Sequence, residues 1–219
     1  MKFIPGLHPR SVSEKRNRPL AAAPTSYVVP AHIDRRAEML PSSNQGTSSQ
    51  CVAYAIAGWV EYYRWKMQGI AQQIAPAPIY ERAKTLDGMP GVEGTTLEAG
   101  LQAAQDLGLM SPIEAGSLRE VNSPAEVQQA LHRYGVVLAA FSVTDGWMKS
   151  DTGGWIREGE ESLGGHAVVL CGYSLIETPP WFALQNSWGE GVGWRGFNRL
   201  SLDMFNKQFD YGLVWDWDA

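Results

Sequence analysis

The sequence predicts an α+β protein of two lobes, because helix-like segments fill its first half and short β-prone runs fill its second half. The chain has 219 residues, a length that suits one compact domain or two small lobes that share a core. Its 44% hydrophobic content, with glycine and proline spread along the chain, is typical of a globular protein.

The first predicted helix begins at Cys51. Apolar residues recur from there at helical spacing as far as Met67, and Gly69 is the residue that stops the helix. The residues before Cys51 are rich in proline and serine, which predicts extended and turn structure.

Two further helices are predicted from their capping residues. Residues 95–108 fit a helix in which Thr95 and Glu98 have the spacing of a capping box. Residues 123–135 fit another, with Ser123 as its N-cap and a proline in the first turn.

Strands dominate the remainder of the chain. Five short β-prone runs follow the third helix and are separated by glycine, proline and aspartate. They are residues 136–143, 166–173, 181–188, 195–201 and 211–215.

Charge is distributed unevenly along the chain. Residues 1–27 carry a net charge of +4, whereas the whole chain carries −5. The acidic body argues against nucleic acid as a partner, because phosphate binding requires clustered cations. The basic start, residues 1–28, is predicted to be a flexible leader, which could be a tail with no function, a short pro-segment or a targeting arm.

The sequence predicts neither a membrane-spanning segment nor a secretory signal peptide. No apolar run approaches the roughly 20 residues that cross a bilayer, and the N-terminus has no apolar signal-peptide core. The two cysteines are too few for a disulfide framework. These observations predict a cytoplasmic protein, or one exported by a route without a cleaved signal peptide.

Cys51 is the candidate nucleophile. A thiol attacks as thiolate, and the start of a helix is a place that lowers its pKa. A nearby imidazole is also needed, and His166 is the best of four histidines because it follows two glycines and opens an apolar strand. Cys171 lies inside an apolar strand and is predicted to be an unreactive core residue.

Three side chains complete the candidate site. Asn186 can accept a hydrogen bond from one ring nitrogen of His166, and Trp188 can shield that bond from water. Gln45, six residues before Cys51, can donate its amide to the oxygen of an attacked carbonyl. No Cys/His pair has ligand spacing, so neither a metal nor another cofactor is predicted.

Three motifs together resemble the papain family of cysteine peptidases. They are "QGTSSQCVAYA" around Gln45 and Cys51, "HAVVLCGY" from His166, and "NSWGEGVGWRGF" from Asn186. The likeness runs patchily from about residue 29 to 214.

The resemblance implies a helical left lobe, an antiparallel β-barrel-like right lobe, and an active-site cleft between them. The helical lobe would cover about 37–118, and the β lobe about 119–210 plus 29–36, within a domain of residues 29–219. Gln45, Cys51, His166 and Asn186 would be the catalytic residues.

The resemblance further implies an endopeptidase that hydrolyses peptide bonds through a thioester acyl-enzyme. An extended peptide or protein substrate would bind in the cleft and pair its backbone with Gly94, Thr95 and Gly165, next to Trp188. The same residues could instead serve a transpeptidase or deamidase, and an inactive peptide-binding module is a further alternative.

The chain also departs from the family pattern. Ser48 stands where relatives have a disulfide-forming cysteine, and Ser49 replaces a glycine beside the substrate pocket. Thr95 follows Gly94 where many relatives have a second glycine, as in some bacterial-type members. The leader is shorter than the inhibitory segment of the family, so the resemblance suggests that no full pro-domain restrains the enzyme. Specificity or a separate protein inhibitor would then restrain it, or the enzyme would be exported to act on another cell.

Overall fold

The computed structural model of the chain describes residues 5–10, 18–20, 28–111 and 117–216. Its first helix, α1 (Cys51–Gln68), begins and ends where the sequence predicts. Gly69 follows in the left-handed conformation with φ of 70°, which only glycine adopts without a side-chain clash. Much of α1 is buried, including Trp59, which is inaccessible to solvent.

Helix α2 (Pro76–Lys84) is not predicted from the sequence. Its two prolines, Pro76 and Pro78, discourage a helical interpretation. Both lie in the first turn, where a missing N–H costs no intrahelical hydrogen bond.

Helix α3 (Leu97–Asp106) begins one residue later than its predicted cap. The N-cap is Thr96, whose side chain accepts a hydrogen bond from the backbone N–H of Ala99. The prediction of Thr95 as the cap is wrong because the backbone of Thr95 pairs with residues 6–8 and is held extended. The next helix, α4 (Pro124–Tyr134), has the predicted cap at Ser123.

All of the strands in the described residues lie in one eight-stranded sheet. The sheet order is β1-β3-β8-β4-β5-β6-β7, with β2 paired to β5, and among these described strands only β1 and β3 pair in parallel. The strands are β1 (Arg18–Pro19), β2 (His32–Asp34), β3 (Leu118–Val121), β4 (Val137–Thr144), β5 (Ser162–Ser174), β6 (Trp181–Gln185), β7 (Phe197–Ser201) and β8 (Phe209–Trp215); helix α5 (Leu202–Gln208) connects the last two.

Strands β4 to β8 coincide with the five predicted β-prone runs. The main difference is in β5, which begins four residues before His166, so this histidine lies within the strand and not at its start. The pairing of β4 and β5 opposes Phe141 to His166 and Ser142 to Gly165. The two glycines before His166 are therefore part of the sheet.

The sheet separates two apolar clusters. Leu138 and Ala140 of β4 belong to the cluster that contains α1, whereas Val137 and Ala139 belong to the cluster that contains α4. This alternation follows from the two-residue period of a strand. Because α1 packs on β5, the N-terminus of α1 comes close to His166.

Candidate active site

Cys51 is the first residue of α1 and is buried. Burial raises the pKa of its thiol to about 11, and nearby backbone N–H groups, the largest contribution coming from Ala167, act in the opposite direction. Ala167 follows His166 in β5, so the sulfur lies next to the strand that carries the histidine. Cys171 is also a free, buried thiol, and its sulfur faces the backbone oxygen of Ala183.

His166 and Asn186 form a hydrogen-bonded pair, with 2.9 Å between Nε2 of the imidazole and Oδ1 of the amide. The backbone N–H of Ser187 donates to the same Oδ1, and Nδ2 of Asn186 donates to Oδ1 of Asn198 at 3.0 Å. These contacts fix which end of the amide faces the ring. Nε2 must then carry the hydrogen, and Nδ1 of the neutral ring carries the lone pair.

Two tryptophans cover this pair. Trp188 stacks on the imidazole of His166, with ring centroids 5.4 Å apart and planes inclined by 21°. Trp147 meets the same ring edge-on at 5.8 Å. Burial lowers the pKa of His166 to about 4, although the hydrogen bond with Asn186 raises it. The imidazole is therefore neutral in this conformation at neutral pH.

Gln45 is buried in the turn before α1. Its Nε2 donates to the backbone oxygen of Ser48 at 2.7 Å, and its Oε1 accepts from the hydroxyl of Ser187. The backbone N–H of Gln45 also donates to the oxygen of Ser187 at 2.8 Å. These bonds tie the turn before Cys51 to the segment that follows Asn186.

An extended segment of the leader, residues 5–10, lies in the groove beside Cys51. We call this segment the strap. The backbone N–H of Leu7 donates to the oxygen of Gly165 at 3.2 Å. Thr95 donates to the oxygen of Gly6 and accepts from the N–H of His8, both at 2.9 Å. Leu7 thereby joins Thr95 on one side and Gly165 on the other in strand-like pairing.

The predicted peptide-pairing residues therefore face an extended segment of the same chain. A Cβ atom on Gly94 would lie 2.7 Å from the oxygen of Gly6, and one on Gly165 would lie 2.3 Å from the oxygen of Leu7. Both positions allow a peptide backbone to approach because they lack a side chain. The sequence predicts a flexible leader, but the strap is held by backbone pairing that no apolar pattern signals.

The strap passes directly over the candidate nucleophile. A Cβ atom on Gly6 would lie 2.2 Å from the backbone oxygen of Ser49 and 3.0 Å from Sγ of Cys51. Beyond it, His8 donates from Nε2 to the backbone oxygen of Glu93 at 2.6 Å. The carboxylate of Glu93 in turn accepts from the hydroxyl of Ser49 at 2.7 Å.

Comparison with known proteins agrees with this geometry. Residues 102–209 match the family model described as papain family cysteine protease. The matched segment is 108 of the 219 residues and is similar to the papain family of cysteine proteases. It contains His166 and Asn186, whereas Gln45 and Cys51 lie before it.

Individual relatives are similar over short segments. A gut-specific cysteine proteinase of Caenorhabditis elegans is 33% identical over 76 residues, which are 35% of this chain and 23% of that protein. Cathepsin B-like cysteine proteinase 6 of the same organism is 32% identical over 88 residues, 40% of this chain and 23% of that protein. The matches thus span under a quarter of the length of these curated relatives.

The fold of the chain has a full-length counterpart among solved structures. Xylellain, a cysteine protease from Xylella fastidiosa, superimposes with a TM-score of 0.78 over 96% of this chain and 95% of that one, at 18% sequence identity. The predicted papain-like α+β fold is therefore confirmed. The exact bounds of the two lobes stay a prediction.

Several residues that support the site could not be identified from the sequence. Asn198 orients Asn186, and Trp147 covers His166. Two residues of the unpredicted helix α2 hold Gly94. The hydroxyl of Tyr80 accepts a hydrogen bond from the N–H of Gly94, and Lys84 donates one to the oxygen of Gly94, both at 3.0 Å. Tyr80 and Lys84 are four residues apart, which puts them on one face of α2.

Two observations concern the described ranges as a whole. Within them, no group of three or more His, Cys, Asp or Glu side chains could hold a metal ion. Also within them, no helix is both long and apolar enough to cross a membrane.

Proposed function

We propose that this chain is a cysteine endopeptidase. The observation that carries the proposal is the arrangement of one groove: a thiol at the start of α1, an imidazole oriented by Asn186, and two positions, Thr95 and Gly165, that pair with an extended peptide backbone. Gln45, Cys51, His166 and Asn186 are its proposed catalytic residues.

In the proposed mechanism, Nδ1 of His166 takes the proton of the Cys51 thiol, because Nε2–H is engaged by Asn186. The thiolate then forms a bond to the carbonyl carbon of the peptide. The C–N bond breaks, the imidazolium gives its proton to the leaving amine, and a thioester remains. His166 next removes a proton from water, and the hydroxide attacks the thioester carbon. The C–S bond breaks, the imidazolium returns its proton to the Cys51 sulfur, and the carboxylic acid product is released.

The charge that develops on the carbonyl oxygen needs donors placed before the reaction. The backbone N–H of Cys51 and the second Nε2 hydrogen of Gln45 are the proposed donors. The bonds from Gln45 to Ser48 and from Ser187 to Gln45 hold the amide in one orientation, so little reorganisation is needed during attack.

The conformation with the strap in the groove is the proposed latent form. The strap fills the substrate-pairing positions, and both reacting groups are buried and uncharged beneath it. Hydrolysis then requires that residues 5–10 leave the groove. The strap would act as an inhibitor within the chain, in place of the separate protein inhibitor suggested by the resemblance.

Labelling with an epoxysuccinyl thiol-protease inhibitor, followed by mass mapping, tests the assignment. The full chain carrying Gly6→Ala is the protein to be labelled, because the added methyl group is expected to displace the strap. We expect one adduct, on Cys51, which is absent in the additional Cys51→Ala variant and weaker in the additional His166→Ala variant. Labelling of Cys171, or of neither cysteine in folded protein, would contradict the assignment.

A peptide library separates hydrolysis from the alternatives. Release of peptide fragments is expected from an endopeptidase, whereas release of ammonia without fragments indicates a deamidase. Joined peptides in the presence of an amine acceptor would indicate a transpeptidase.

A further inference from the structure

The end of the strap enters an acidic pocket next to the groove. The guanidinium of Arg10 donates from Nε to Glu98 at 2.5 Å and from Nη1 to Glu120 at 2.9 Å. It also lies over the ring of Tyr211, with 4.2 Å between Cζ and the ring centroid. The side chains of Arg10, Glu98 and Glu120 are only 13%, 15% and 8% exposed.

The pocket walls belong to the folded domain and not to the strap. Glu98 lies in the first turn of α3, Glu120 in β3 and Tyr211 in β8, and the hydroxyl of Tyr211 donates to the carboxylate of Glu98 at 3.3 Å. Three separate elements thus place the carboxylates. The pocket is expected to persist when the strap leaves.

The pocket chemistry fits a guanidinium group. Two largely buried carboxylates that share a site repel each other unless a cation lies between them. A planar guanidinium can donate to both at once and stack on an aromatic ring, which an ammonium group does less well. When Arg10 leaves, the pocket favours another group of the same kind.

The pocket is continuous with the substrate groove. A cavity of about 860 Å³ lies beside the strap and is lined by residues of both regions, among them Gly165, Glu120 and Tyr211. Asp210 and Ser142 also line it, and burial raises the pKa of Asp210. A peptide whose backbone pairs with Gly165 can therefore extend a side chain to the carboxylates.

We propose that Glu98, Glu120 and Tyr211 form a binding subsite for an arginine side chain of the peptide substrate, a subsite that Arg10 of the strap fills in the latent form. This proposal rests on the proposed function, since it assumes that a peptide occupies the groove. It assigns the chain a preference for substrates that carry a guanidinium group within a few residues of the scissile bond.

A peptide-binding measurement tests the subsite independently of hydrolysis. The probe is a fluorescent peptide with the strap sequence PGLHPR, and its partner is the same peptide with citrulline, which is neutral and nearly isosteric, in place of arginine. Binding is measured to the full chain carrying Gly6→Ala and Cys51→Ala, in which the strap is expected to leave the groove and no acyl-enzyme can form. We expect the arginine peptide to bind at least tenfold more tightly.

Variants of the pocket locate the effect. Adding Glu98→Gln together with Glu120→Gln is expected to lower the affinity for the arginine peptide at least tenfold. The affinity for the citrulline peptide is expected to change less than twofold. Asp203→Asn, an exposed acidic residue of α5, is the matched control and should change neither.

Equal affinity for the two peptides would overturn the proposal, as would the absence of binding by both. This comparison needs no change in the pocket, so it remains decisive if the glutamine variants fail to fold. A third outcome separates the two proposals. If the arginine peptide binds more tightly but the chain that keeps Cys51 does not hydrolyse peptides, the proposed function is contradicted and the subsite is supported.

Discussion

Gly6 is the residue at which the strap comes closest to the candidate nucleophile, so a single methyl group there has a large effect. In Gly6→Ala the Cβ atom would lie 2.2 Å from the backbone oxygen of Ser49, a distance that requires either the strap or the Ser49 backbone to move. Because Ser49 is buried in the turn before α1, we expect the strap to move. We expect peptide hydrolysis and thiol alkylation to accelerate at least tenfold. Gly191→Ala is the matched control because its Cβ would meet nothing within 4 Å, and it should leave both rates unchanged.

Gln45 offers a test of the proposed oxyanion donor. Removal of one such donor typically lowers kcat by about 10²-fold. In the Gly6→Ala background, Gln45→Ala is expected to lower kcat by about this factor with a small change in KM, measured by steady-state kinetics. An unchanged kcat in a folded variant would exclude Gln45 from the mechanism.

Protonation of His166 links stability to pH. Its pKa falls from the ordinary value of 6.5 to about 4 because it is buried. At pH values between about 4 and 6.5, His166 binds a proton in the unfolded chain but not in the native chain. The free energy of unfolding therefore decreases as the pH falls through this range. The loss reaches about 1.4 kcal/mol per pH unit.

The His166→Gln variant isolates this effect. Denaturant unfolding of both proteins is measured between pH 7 and 4. We expect the difference in free energy of unfolding between the unsubstituted protein and the variant to decrease as the pH falls through this range. A difference that stays constant over the same range would contradict a buried, neutral imidazole.

At the residue scale, the sequence identifies groups that carry chemistry better than groups that orient them. Gln45, Cys51, His166 and Asn186 stand out because their residue types and spacing suit thiol chemistry. Asn198 has no such signal, since it acts only through its contact with Asn186. Asn198 contacts Asn186 because of the pairing register of β6 and β7, and no single residue determines that register.

At the scale of elements, the start of α3 supports one wall of the groove. Thr96 caps the helix by accepting from the N–H of Ala99, while the adjacent Thr95 pairs with the strap and Glu98 holds Arg10. Thr96→Ala should lower the free energy of unfolding by about 1 kcal/mol, measured by denaturant unfolding. Thr152→Ala, at an exposed turn, is the control and is expected to change it by less than about 0.5 kcal/mol.

The elements that the sequence reveals are those with strong periodicity or clear caps. Helix α1 and strands β4 to β8 are long enough or apolar enough to be recognised, and Ser123 marks the start of α4. Helix α2 begins with prolines, and α5 is only seven residues long, so neither displays a full apolar period. Because α2 holds Gly94, a missed helix here is also a missed part of the site.

At the scale of the whole molecule, the placement of the leader depends on contacts distant in sequence. Leu7 pairs with Thr95 and Gly165, and Arg10 reaches Glu98 and Glu120. Composition indicates a basic leader and an acidic body, which are complementary in charge. It does not indicate which leader residues enter the groove, because backbone pairing accepts almost any side chain.

A strap that belongs to the same chain should inhibit peptide hydrolysis to the same extent at every protein concentration. A tethered segment acts at an effective concentration on the order of mM, whatever the protein concentration. The specific activity of the unsubstituted chain is therefore expected to stay constant over a thousandfold dilution. The peptide PGLHPR added to Gly6→Ala supplies the contrast, because its inhibition should disappear when both are diluted. Specific activity of the unsubstituted chain that rises on dilution would instead mean that the strap in each groove comes from a second copy.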